Sequence, residues 1–294
     1  MAEITERPFR RERDLPGIFA LIAQARASSD PHAFLHPGGL QWLLRRLPQP
    51  TFSVRQWYEG DALAGVVITD SAYVMVQSAN GDVDRHVWLL REAEAHLHRH
   101  GEPAIETSVW DGDHELLTRV RALGFEPSGT YGHELVNDDL EAPAEPELPL
   151  GFTMGWLEPS LDDSYVELHR AAWSTWGPST YDRAAHGAVT TMPDFERELV
   201  PLISASDGTL AAYCIGWFDP VTRMSEIEPL RTRPVFRRRG LARAVVEEVV
   251  RRSTQRGARS VLVWGAHQNT AALALYESCG FRSRRVMREY RRVP

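Results

Sequence analysis

Residues 237–250 read RRRGLARAVVEEVV: three consecutive arginines, a glycine, then a stretch with helical periodicity. Apolar residues recur at Leu241, Ala244, Val245 and Val249, the steps that lay one face of a helix against a core. Glu248 and Arg252 fall on the same stripe, and Gly257 is placed to end the helix. Just upstream, SEIEPLRTRP at 225–234 predicts a strand running into the basic turn. The first turn of a helix exposes unpaired N–H groups and the positive end of the backbone dipole. Gly240 lets a bulky anion approach the backbone, and the small Ala242 keeps the first turn uncrowded. Arginines at a helix start oppose the dipole, so a phosphate or pyrophosphate that neutralises them is the reading with a physical reason. A basic loop facing water is the alternative.

Working outward, the same half predicts strands at 152–156, 199–205, 209–218, 224–233, 259–264 and 281–290, with helices near 160–173, 240–256 and 269–278. An irregular WSTWGPST loop follows the first of these helices. Alternating strands and helices of this length indicate an α/β class.

The segment NDDLEAPAEPELPLG at 137–151 holds three prolines, five acids and no basic residue, the composition of an exposed connection. Across it the sequence repeats. GDALAGVVI at 60–68 aligns with DGTLAAYCI at 207–215, and AIETSVW at 104–110 with SVLVW at 260–264. LLTRVRALGF at 116–125 aligns with ALALYESCGF at 272–281. Two copies of one α/β unit are therefore expected, 1–140 and 152–294, joined by a linker at 141–151.

Composition narrows the chemistry. All 33 basic residues among the 294 are arginines. Without a lysine no Schiff base can form and no P-loop can hold a nucleotide. Residues 1–150 carry 13 arginines against 24 acids, and residues 151–294 carry 20 against 16. With a net charge of −7, nucleic acid is not the expected partner. Two cysteines, Cys214 and Cys279, are too few for a disulfide framework and read as free thiols. The opening MAEITERPFRRERD has no apolar stretch behind it, and no apolar run approaches a membrane span, so a cytoplasmic protein with no membrane partner is expected.

The segment RRRGLA at 237–242 resembles the (Q/R)-x-x-G-x-(G/A) signature of the GNAT acyltransferases. Asn269, Tyr276 and Gly280–Phe281 are similar to that family's second signature, and SEIEPLRTRP to its splayed strand. Three pieces in the right order span 57 residues of the second half, Ser225 to Phe281. The resemblance implies two tandem GNAT domains, each a mixed, mostly antiparallel twisted sheet flanked by helices. It implies acetyl-CoA as co-substrate, a small-molecule amine as acceptor, no metal, and a monomer or homodimer. The tandem arrangement is similar to that of mycothiol synthase, with one half performing the chemistry. In the first half, Val120 stands where Tyr276 does, Asp113 where Asn269 does, and no arginine–glycine turn is present, so its cofactor site reads as degraded.

The resemblance also assigns roles. The pantetheine and acetyl groups are expected along Leu230, Arg231 and Thr232, where a backbone N–H would stabilise charge on the thioester oxygen. The diphosphate is expected at Arg237, Arg238, Arg239, Gly240, Leu241, Ala242 and Arg243, with Asn269 as a helix cap, a cofactor contact, or both. Glu226 falls at the general-base position. Glu228 has the same parity on the strand and would bind the acceptor's charge or share the role. Tyr276 would protonate the departing thiolate; a plain core tyrosine is the alternative. Trp173 and Trp176 read as core first and as an acceptor-lining wall second. The acidity of residues 1–150 suggests a cationic acceptor such as an amino sugar or polyamine. The other readings are an acyl-CoA-binding regulator, which would hold the cofactor without turnover, and a protein N-acetyltransferase. His96, His98 and His100 sit at a helix end without a carboxylate to complete a ligand set, and His32 and His36 lie in a proline–glycine loop, so no metal is expected.

Overall fold

The turn signals Gly60–Asp61 and Asp207–Gly208 each close an antiparallel hairpin, and the two hairpins sit at matching places in two copies of one scaffold. The structure, a computed structural model, describes residues 4–28, 30, 32–33, 35–47, 49–140, 144–175 and 177–293. In chain order the elements are β1 (Ile4–Arg7), α1 (Arg11–Ala27), α2 (Pro37–Leu44), β2 (Phe52–Glu59), β3 (Ala62–Asp70) and β4 (Tyr73–Ser78). There follow α3 (Val83–Arg99), β5 (Ile105–Trp110), α4 (His114–Ala122), β6 (Glu126–Asn137), β7 (Phe152–Trp156) and α5 (Asp162–Trp173). The rest are α6 (Arg183–Thr190), β8 (Pro201–Ala205), β9 (Leu210–Asp219), β10 (Met224–Thr232), α7 (Leu241–Gln255), β11 (Ser260–Ala266), α8 (Thr270–Ser278) and β12 (Arg282–Arg292). Two compact units result: Met1–Pro37, Arg46–His133 and Arg285–Pro294 form one, Gly38–Arg45 and Glu134–Arg284 the other.

In the first unit the strand order is β1-β2-β3-β4-β5-β12, antiparallel except for the parallel β4–β5 pair. Leu89, Leu90, Ala93 and Leu97 of α3 share its core with Val67, Val74, Val76 and Ile105 of the strands.

In the second unit the end of β6 is followed in the sheet by β11-β10-β9-β8-β7; β10 and β11 run parallel, and β10–β9, β9–β8 and β8–β7 antiparallel. Helix α7 buries Leu241, Ala244, Val245 and Val249, the predicted stripe. A Cβ on Gly216 of β9 would lie 2.6 Å from Val249, so that glycine sets how closely helix and sheet approach. Glu248, on the same stripe, is buried with its carboxylate bonded by Arg251 (2.6 Å) and Arg252 (3.1 Å).

Predicted and observed elements of this half agree within a few residues. The exception is α6, whose eight residues lie between the irregular WSTWGPST loop and the next strand, where no element was expected. It starts on a side-chain cap, Asp182 accepting from the Ala185 N–H at 2.8 Å.

Candidate active site

β10 positions the chemistry by losing its register. Ile227 lies opposite Gly216 on β9, yet Leu230 lies opposite Cys214, so one extra residue is accommodated around Pro229, which has no N–H for the ladder. The Trp217 Nε1–H donates to the Glu228 carbonyl at 2.7 Å and fixes the splayed segment. The two carboxylates on this strand have different surroundings. Glu226 is 1% exposed and accepts the Gly39 N–H at 2.5 Å from the first turn of α2; a Cβ on Gly39 would come within 2.7 Å of the same oxygen. Glu228 lines an open cleft of about 760 Å³. Burial pushes its carboxyl up to about 7, nearby Glu226 adds to the rise, and Arg231 and Arg45 oppose it.

The basic turn ends the same cleft. Arg238 (φ +64°) and Gly240 (φ +80°) both adopt left-handed backbone, and α7 begins immediately after. A Cβ on Gly240 would meet nothing within 4 Å, so space lies open above the helix start. No acid stands in the first turn of α7 and no side chain caps it. Arg237 is tied down, donating to the Thr232 and Ala172 carbonyls (both 3.3 Å) and to Thr175 Oγ1 (3.2 Å). Arg243 pairs with Glu247 at 2.6 Å. Arg238 and Arg239 are exposed and have no ion pair among the described residues.

Opposite β10, Asn269 caps α8 by accepting from the Ala272 N–H at 3.2 Å, and it also lines the cleft. Tyr276, one and a half turns along α8, is 6% exposed and lines the cleft. Burial raises its hydroxyl pKa far above the ordinary phenol value, and the Glu228 carboxylate adds to that, so the group stays protonated. Trp173 closes the cleft from the end of α5, with the Arg231 guanidinium 3.5 Å above its ring. Two polar atoms here are buried with no hydrogen-bond partner, Arg231 Nε and Thr232 Oγ1.

Residues 161–281 match the Acetyltransferase (GNAT) family. They form a GNAT domain. The family is one of acyltransferases, and the fold likeness extends beyond the matched segment. A GCN5-related N-acetyltransferase from Sphaerobacter thermophilus shares 19% identity over 99% of this chain and 95% of its own, with a TM-score of 0.66. A tandem GNAT protein from the clavulanic acid biosynthesis pathway shares 16% over 99% and 98%, with a TM-score of 0.70. An acetyltransferase of the GNAT family from Colwellia psychrerythraea shares 13% over 98% and 99%, with a TM-score of 0.58. No curated protein matches the sequence.

Within the GNAT domain the cleft gathers Glu228, Leu230, Arg231, Thr232, Arg237, Arg238, Gly240, Leu241, Ala242, Arg243, Asn269, Tyr276 and Trp173. Glu226 does not line it. Arg239 faces a neighbouring hollow of about 820 Å³ with Arg243 and Arg282. Trp176 lies outside the described residues. Cys214 is buried, its thiol pKa pushed up by burial, and Cys279 is half-buried with its own raised to about 11.

Sequence reasoning missed α2. The proline and two glycines at 37–39 read as a loop, and only the fold brings the Gly39 amide to Glu226. It also missed the cluster behind Trp173. There His169 stacks between Tyr181 (3.9 Å) and Trp173 (5.7 Å), while Tyr181 bonds His186 Nδ1 at 3.0 Å and Asp162 lies 3.0 Å from His186 Nε2. Burial first, then Arg45 and Arg231, push His169 down to about 3, so this wall is neutral imidazole.

The corresponding helix start in the first unit has the opposite character. Asp82 caps α3, accepting from the Arg85 N–H at 2.9 Å, and Asp84 stands in the first turn. Asp113 caps α4 as Asn269 caps α8, but its other oxygen pairs with buried His32 Nδ1. Although burial opposes it, that carboxylate raises the His32 pKa, while burial drives neighbouring His86 down to about 3.

Proposed function

We propose that the second unit transfers an acetyl group from acetyl-CoA to the amine of a small molecule, with Glu228 as general base and Tyr276 as general acid. One observation carries the reading: the splay of β10 at Pro229 puts a carboxyl of pKa about 7 into the same cleft as a protonated phenol and an open helix start. The cleft suits the donor. The first-turn amides of α7 with Arg238 would hold the diphosphate, Arg239 adding charge from the neighbouring hollow, and the orphaned Thr232 hydroxyl and β10 backbone would hold the pantetheine arm. Bound there, acetyl-CoA supplies an activated thioester. Glu228 takes a proton from the acceptor's ammonium, leaving a neutral nucleophile. A backbone N–H at 230–232 steadies charge growing on the carbonyl oxygen. Tyr276 gives its proton to the departing sulfur.

The base falls to Glu228 in place of Glu226, because the latter is already bonded to Gly39 and set back from the cleft. In this reading Glu226 acts from behind, through its charge on Glu228. The first unit, with acids at its corresponding helix starts, takes no donor. No described helix is long and apolar enough to cross a membrane, and we place the reaction in the cytoplasm.

The test is thiol release from acetyl-CoA across an amine library, with CoA binding followed by calorimetry. Turnover with at least one amine is expected. Tight CoA binding with no turnover on any amine would refute acetyl transfer and leave a cofactor-binding regulator. No CoA binding at all would refute the site.

A further inference from the structure

We infer that the acceptor carries a carboxylate beside its amine, and that Arg231 binds that carboxylate. The inference rests on the acetyl-transfer reading and adds the substrate class.

Arginines set into the GNAT domain mostly answer a specific carboxylate. Arg197 bonds Asp162 at 2.7 Å, Arg251 and Arg252 bond Glu248, and Arg256 bonds Glu196 at 2.6 Å. Arg231 does not. Its side chain is half-buried, lies 3.5 Å over the Trp173 ring and, among the described residues, bonds only the Leu230 carbonyl, at 2.9 Å. Its Nε is buried without a partner, and no carboxylate lies within ion-pair distance among the described residues. A guanidinium held in place by a ring and one carbonyl, with a donor edge unused, is built to receive an anion.

That anion is not the donor's diphosphate. The turn at Arg238–Gly240 is where the diphosphate belongs, whereas Arg231 is three residues from Glu228, at most about 10 Å along a strand. Glu228 and Arg231 line one cleft and each acts on the other, the arginine opposing the rise in the Glu228 carboxyl. Base and cation so placed suit a small zwitterion: the ammonium goes to Glu228, the carboxylate to Arg231. A polycationic acceptor would set its second charge against Arg231, with Arg45 adding to the positive field that reaches His169. The acidity of residues 1–150 therefore says less about the acceptor than the charges of the cleft itself.

The experiment uses the full chain, acetyl-CoA, and two matched acceptor panels: the common amino acids, and the same amino acids as carboxamides. Thiol release gives kcat/KM for each pair. In the wild type at least one amino acid is expected to exceed its carboxamide by about 30-fold or more, the scale of losing one partner of a desolvated charge pair. Arg231→Gln is expected to bring that ratio close to one, with Arg231→Lys intermediate. Urea-unfolding midpoints matching the wild type show that the variants are folded. Carboxamides used as well as the acids by the wild type would overturn the inference while leaving acetyl transfer standing. So would a ratio that survives Arg231→Gln or, should both variants fail to bind CoA, a wild-type preference for diamines over amino acids. Thiol release with neither panel nor any other amine would instead bring down the acetyl-transfer reading, and this inference with it.

Discussion

Replacing Glu228 with glutamine should slow the enzyme and stabilise the fold, both in a pH-dependent way. The Glu228 carboxyl titrates near 7, against an ordinary value of 4.5. Because the folded pKa lies above the unfolded one, the folded state prefers the protonated form. The wild type carries no penalty below pH 4.5, loses stability as pH rises from 4.5 to about 7, and is level beyond that. The difference in pKa, at 1.36 kcal/mol per tenfold, amounts to about 3 kcal/mol as an upper bound. Glutamine has a similar shape and no charge to desolvate. Urea unfolding of both proteins should therefore coincide near pH 4.5 and diverge to a gain of up to about 3 kcal/mol for Glu228→Gln at pH 8. Activity should move the other way. Wild-type kcat/KM should rise with pH and flatten above about 7 as the base loses its proton, while Glu228→Gln should lose about 10²- to 10⁴-fold at pH 8 and lack that inflection. A stability difference independent of pH would refute the assignment of a buried, raised carboxyl at this position. A retained inflection would refute its role as base.

Other outcomes follow from the same cleft. Tyr276→Phe should lower kcat by about 10²-fold or more with CoA affinity unchanged in calorimetry, since only the proton donor is removed. Arg238→Gln with Arg239→Gln should weaken CoA binding by about tenfold together, less at high salt, because both guanidinium groups are exposed and screened. Gly39→Ala should cost about 1–3 kcal/mol in urea unfolding, since its Cβ would come within 2.7 Å of a buried Glu226 oxygen bonded to that same residue.

Much of this was legible in the chain because it is written locally. The stripe Leu241–Ala244–Val245–Val249, Gly240 before it, and the intervals from Asn269 to Tyr276 to Phe281 each depend on residues within a few turns of one another. The irregularity in β10 was also signalled, by Pro229. The group that Glu226 accepts from, a backbone amide, was not. Its partner, Gly39, is 187 residues away, in a helix of eight residues whose proline–glycine start reads as a loop. Parity on the strand made the two glutamates look alike; only the docking of α2 separates a carboxylate already bonded from one left in the cleft. The cluster of His169, Tyr181 and His186 was hidden for a similar reason. Its members are spread over two helices and an irregular stretch, and burial in an aromatic stack, not spacing, makes His169 neutral. Arg231 was visible only as a position on the cofactor strand; that it lacks a carboxylate partner is a fact of three dimensions.

The two copies of the scaffold differ at the few residues that would decide whether a helix start takes an anion. At α7 the cap is Gly240 in left-handed backbone, the first turn has no acid, and Arg238 and Arg239 stand before it. At α3 the cap is Asp82 and the first turn contains Asp84. An aspartate cap already satisfies an amide that a phosphate would use, and its charge occupies the favourable end of the dipole. A diphosphate brought to α3 would meet two carboxylates, and one brought to α7 would meet two arginines. The next landmark differs in the same sense, since Asp113 replaces Asn269 at the neighbouring helix cap and is paired with His32. Val120 replaces Tyr276, so no proton donor stands at that place either. Calorimetry with CoA should accordingly give one site per chain, and Gly240→Asp, which puts a carboxylate at the α7 cap, should abolish it. Two sites of comparable affinity, or a single site that survives Gly240→Asp, would show that the helix-start charges do not govern where the donor binds.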